Sequence, residues 1–236
     1  MFFDPLWLVF AAPGMLLAAF AQWRVSSTFR RYAEVATDRG LSGAEVAAAI
    51  LRVSNIRDVR IEPVPGMLSD HYDPTSKTLR LSPDVYSGRS VSAAGVAAHE
   101  VGHALQHAQG YAFLQMRSAL VPALSLTSRV AMPALMLGMI LAASGSALGS
   151  LVMYVGIAAF AVMVLFQLVT LPVEFDASKR ALVALEQGGI VTQRELGGAR
   201  SVLSAAALTY VAAAVSSALQ LLYFLFRAGL LGGRDE

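Results

Sequence analysis

The chain has 236 residues, 56% hydrophobic and 14% charged, with a formal net charge of +2 and a mean hydropathy of +0.58. Soluble domains carry closer to a quarter charged residues, so an ordinary water-soluble fold is excluded, and no basic stretch is interleaved with aromatics as nucleic-acid binding would require. Cysteine is absent, which rules out disulfides, thiolate catalysis and Cys-type zinc sites and leaves His and carboxylates to hold any metal.

Residues 5–23 (PLWLVFAAPGMLLAAFAQW) carry no charge and are about long enough to cross a hydrocarbon core at about 1.5 Å per helical residue. Asp4 precedes this run and Arg24 follows it, so the positive start of a secretory signal is missing and an uncleaved first transmembrane helix is expected. Residues 24–128 hold most of the basic residues and all four histidines, and are read as a water-facing domain. Within it, SGAEVAAAILRVS (42–54) is an amphipathic helix with a Ser cap. VRIEPV and KTLRLS alternate with period 2 around turn-rich PGMLSDHYDPTS, so a short hairpin or small sheet is expected. Ser90 or Ser92 can cap the next helix (90–109), which runs through HEVGHALQHAQ and stops at Gly110.

Residues 130–173 are uncharged and would extend about 66 Å as one helix, roughly twice a bilayer core, so two spans share them. SGSALGS (144–150) is the turn, giving a transmembrane hairpin over 130–172. A helix over 173–198 follows, and the uncharged run 201–226 makes a fourth span. Most of the basic residues lie between spans one and two and before span four, none in the hairpin turn. The positive-inside rule then sets both charged regions in the cytoplasm. The expected architecture is a mostly α integral membrane protein with about four transmembrane helices and a small α+β zincin-like domain on the cytosolic face.

In HEVGH, His99 and His103 lie four residues apart, about 40° around a helix and about 6 Å along it, so both imidazoles reach one ion from one face. Glu100 between them can deprotonate a zinc-activated water, the general-base chemistry of peptide hydrolysis. The surrounding residues are small or apolar, so three polar side chains there would be costly without a metal. His107 lies about 12 Å from His99 along a straight helix, too far for the same ion, and is read as a supporting residue. Glu174 is the expected third ligand: it is the first charge after the hairpin, and two spans return it to the membrane face from which the HEVGH helix leaves. Asp176 is a rival pointing about 200° away.

At these residues the chain resembles the YugP-like family of neutral zinc metallopeptidases of membranes. SDHYDP (69–74), LRLSPDVY (79–86), VAAHEVGHALQHA (96–108), LPVEFDASKRA (171–181) and AAALTYVAAA (205–214) carry the likeness. It is more distantly similar to HtpX-like and CAAX-prenyl-protease gluzincins, whose E-x-x-A-D motif reads here Glu174-Phe-Asp-Ala177-Ser178, with Ser in place of the last Asp. The resemblance implies a zinc metalloendopeptidase with one Zn2+ held by His99, His103 and Glu174, Glu100 as base, and a protein or peptide substrate at the bilayer. A bacterial-type plasma membrane is the expected location.

A peptidase also needs donors for the developing oxyanion, and His71 and Tyr210 are the candidates. The strand 77–82 is a candidate for pairing with an extended substrate. The alternative to catalysis is a non-proteolytic, metal-stabilised membrane scaffold or chaperone-like partner. Intramembrane proteolysis of the site-2 kind fits poorly, because no Asp-Gly pair occurs.

Overall fold

The computed structural model describes residues 4–231. Seven helices and three strands follow in the order α1 (Pro5–Ala33), α2 (Gly43–Val53), β1 (Arg60–Pro63), β2 (His71–Asp73), β3 (Thr78–Leu81), α3 (Pro83–Tyr86), α4 (Val91–Ala108), α5 (Ala112–Ala143), α6 (Ala147–Gln187) and α7 (Gln193–Arg227). The chain divides into two compact units. One takes the described residues up to Phe20, Met116–Leu171 and those from Tyr210 on; the other takes Ala21–Gln115 and Pro172–Thr209.

The first unit is wholly helical. Helices α1, α5, α6 and α7 are each long and apolar enough to cross a membrane. Asp4 caps α1, accepting from the Leu6 N–H at 3.0 Å and from the Tyr223 hydroxyl at 2.8 Å. The interior packs Leu135 of α5 and Met153, Ile157 and Phe160 of α6 with Tyr223 and Phe224 of α7. Backbones approach directly where glycine allows it: a Cβ on Gly138 would sit 2.6 Å from the Met153 amide nitrogen. Larger residues such as Leu16, Leu126, Ile140 and Leu148 point outward, as lipid-facing side chains do. The α5–α6 turn is tighter than the seven-residue SGSALGS, since Gly145 takes φ +79° and α6 begins at Ala147.

Helix α6 runs unbroken through Pro172 for 41 residues, so the second limb of the hairpin and the stretch bearing Glu174 are one helix. It ends at Gly188-Gly189, where Gly189 adopts φ +55°. The stretch 173–198 is therefore the end of α6 and the start of α7, where the Glu195 carboxylate accepts from the Thr192 N–H at 2.6 Å.

The second unit is mixed. Helix α2 carries the full capping box: Ser42 Oγ accepts from the Glu45 N–H and the Glu45 carboxylate accepts from the Ser42 N–H. The sheet order is β1-β3-β2, with β1 parallel and β2 antiparallel to β3. The two period-2 runs therefore pair in parallel, and the hairpin partner of β3 is the short HYD strand inside the presumed turn. Asp73 makes that hairpin by accepting from the Thr75 and Ser76 N–H groups and the Ser76 hydroxyl.

Helix α4 is the centre of this unit. Ser90 caps it, accepting from the Ala93 N–H at 3.2 Å, and Gly110 beyond its end takes φ +64°. Its Ala94, Ala97, Ala98, Val101 and Leu105 share one core with Val46, Ile50 and Leu51 of α2 and Leu79 and Leu81 of β3. That small-residue face brings neighbours close. A Cβ on Gly102 would fall 2.3 Å from the Ala177 carbonyl oxygen of α6, so only glycine permits this α4–α6 spacing.

Candidate metal centre

The α4–α6 contact at Gly102 and Ala177 is flanked by a cluster of two histidines and a carboxylate. His99 and His103, one turn apart on α4, set their rings edge to face with centroids 4.9 Å apart. Both Nε2 atoms turn to one carboxylate oxygen of Glu174: His99 Nε2 lies 3.1 Å and His103 Nε2 3.6 Å from Oε2. One potential ligand atom from each of the three residues lies within 4.8 Å of the others. Glu174 is 2% exposed, and a carboxylate so withdrawn from water requires compensating partners.

The other ring nitrogens are also engaged. His99 Nδ1 is 3.1 Å from Ser178 Oγ, and His103 Nδ1 is 3.0 Å from Gln106 Oε1. Burial alone would lower the pKa of His103, but its hydrogen bond to Glu174 and the charge of Glu100 outweigh burial and raise it. Glu100 is itself buried on α4. Two imidazoles and a carboxylate, each able to offer one lone pair to a common point, form a donor set suited to a borderline ion such as zinc.

The other candidates sit on several elements. His107 is held by the Tyr72 hydroxyl at 2.9 Å, tying the last turn of α4 to β2, and burial pushes the Tyr72 phenol up to about 12. His71 is exposed, its Nδ1–H donating to the Ser69 carbonyl at 2.7 Å. Tyr210 is half-buried on α7 in the wholly helical unit. Asp176 turns to Arg180 and to Gln106 Nε2, the latter at 2.9 Å. The substrate-strand expectation for 77–82 needs correction: β3 is paired on both sides, and the free edges belong to β1 and β2.

Sequence reasoning did not single out Gln106 and treated Ser178 only as a departure from a motif. Gln106 stands three residues after His103 on the same helix face, a spacing that allows contact with the imidazole but does not by itself mark the residue.

A buried two-His, one-carboxylate cluster centred on an HExxH helix, in a chain with four membrane-length helices, has the makings of a membrane-bound metallopeptidase. The comparisons agree. The family model described as "Putative neutral zinc metallopeptidase" matches residues 7–229, and the chain belongs to that family. The chain is also 48% identical over 232 residues, 98% of each sequence, to the "Putative membrane protease YugP" of Bacillus subtilis (strain 168). No solved structure matches it.

Proposed function

We propose that this transmembrane zinc metallopeptidase is an endopeptidase working at the membrane surface, with His99, His103 and Glu174 holding the metal and Glu100 as general base. The carrying observation is the convergence of both Nε2 atoms on one oxygen of a buried carboxylate that belongs to another helix. Bound zinc supplies Lewis acidity, which polarises a peptide carbonyl and acidifies water. Glu100 takes the proton of the attacking water on its carboxylate and returns it to the leaving amine. His99 and His103 would offer Nε2 to the metal, their rings kept in orientation by hydrogen bonds at Nδ1.

An extended substrate would pair with the free edge of β2, because Tyr72 of that strand is bonded to His107, one turn beyond His103. The basic residues of 24–128 and 173–198 favour a cytoplasmic site by the positive-inside rule. His71 and Tyr210 stay candidates for the oxyanion, to be ranked by their alanine variants.

The test pairs two variants with metal analysis of the purified protein. Glu100→Gln should keep about one zinc per chain and lose about 10²- to 10⁴-fold in turnover of a quenched peptide. Glu174→Ala should lose the zinc itself. Undiminished cleavage by Glu100→Gln, or full zinc content in Glu174→Ala, would refute these roles.

A further inference from the structure

Gln106 is completely buried, at 0% exposure, and both ends of its carboxamide are used, the NH₂ end across the α4–α6 contact and the oxygen within α4. Nε2 donates to the Val173 carbonyl at 2.7 Å and to Asp176 Oδ2 at 2.9 Å, and Oε1 lies 3.0 Å from His103 Nδ1. The ends of a carboxamide are assigned from their partners. Here the partners leave one choice. The Val173 carbonyl can only accept, and Asp176, paired with Arg180, also accepts, so the NH₂ end must face both.

The amide oxygen then necessarily faces His103, and an oxygen can only accept. His103 must therefore carry a proton on Nδ1. From this chain of partners we infer that Gln106 is a positioning residue, which holds the proton on His103 Nδ1, reserves Nε2 on the Glu174 side as the nitrogen for a metal, and clamps the two ligand-bearing helices together. Arg180 fixes Asp176 as an acceptor, Asp176 fixes the amide, and the amide fixes the imidazole. His99 has no such commitment, because the Ser178 hydroxyl at its Nδ1 can donate or accept.

This inference rests on the metal-site reading for its use, but the proton position is measurable without it. In full-length protein with ¹⁵N-labelled histidine, His103 Nδ1 should be protonated both before and after zinc addition, its resonances identified by their loss in His103→Gln. A bare or metal-bound Nδ1 in wild type overturns the inference whether or not any variant folds.

Gln106→Leu removes the amide at nearly constant volume. Its zinc affinity, by chelator competition, should fall about 10- to 100-fold, with the His103 Nδ1–H resonance lost or exchange-broadened. Unchanged affinity together with an unchanged His103 signal in the folded variant would also overturn it. Wild type that binds no zinc yet shows the Nδ1–H would refute the metal-site reading and leave the proton assignment standing.

Discussion

Leu16 and Met67 are both large apolar residues left mostly bare, at 71% and 82% exposure, yet they lie in regions with opposite habits. Leu16 belongs to the all-helical unit, whose interior is closed by glycine contacts and a few aromatics while many leucines face outward. Met67 sits between β1 and β2 in the mixed unit, which gathers its branched apolar residues around α4. In water an exposed leucine forgoes hydrophobic stabilisation; against acyl chains it forgoes nothing, and helices associate instead through close packing. The same exposure therefore marks a lipid contact in one unit and a loop tip in the other.

The sharpest way to break this comparison is charge. Leu16→Arg should cost about 2.5–3.5 kcal/mol in membrane insertion, read from the inserted fraction in a translocation assay. Met67→Arg should change stability by less than about 0.5 kcal/mol. Equal effects would mean that α1 does not cross lipid.

Glycine substitution gives the next largest effect and separates the units by readout. Gly102→Ala and Gly138→Ala both drive a methyl into a neighbouring backbone, at 2.3 Å and 2.6 Å, and each should lower unfolding stability by about 1–3 kcal/mol. Only Gly102→Ala should also weaken zinc binding, because only Gly102 lies between the metal-binding candidates and α6. A loss of zinc in Gly138→Ala would remove that separation of readouts. The smallest effect is Ser42→Ala, which removes an N-cap in the mixed unit and should cost about 1 kcal/mol in thermal unfolding.

The sequence made the spans legible because lack of charge over twenty residues is a strong, local signal. The proximity of Glu174 to the HEVGH histidines was also legible, from counting membrane crossings. Strand β2 was not: three residues within a run of turn formers carry no periodicity, and their pairing with β3 depends on Asp73 closing the turn. The continuity of α6 through Pro172 was hidden as well, since proline normally argues for a break and the surrounding packing overrode it. Gln106 escaped notice for a different reason. Its importance lies in which atoms of Val173 and Asp176 it meets, and no spacing along α4 encodes that.

The contact of Gly102 with Ala177 gives the site a dimension that its side chains do not control. The two main chains that carry the histidine pair and Glu174 are already in contact there, so α4 and α6 cannot approach any closer. A larger side chain at that point would part the two helices and draw the histidines away from Glu174. The hydrogen atom that stands in for a side chain at Gly102 thus acts as a calliper, setting how near the two helices bring their proposed ligands.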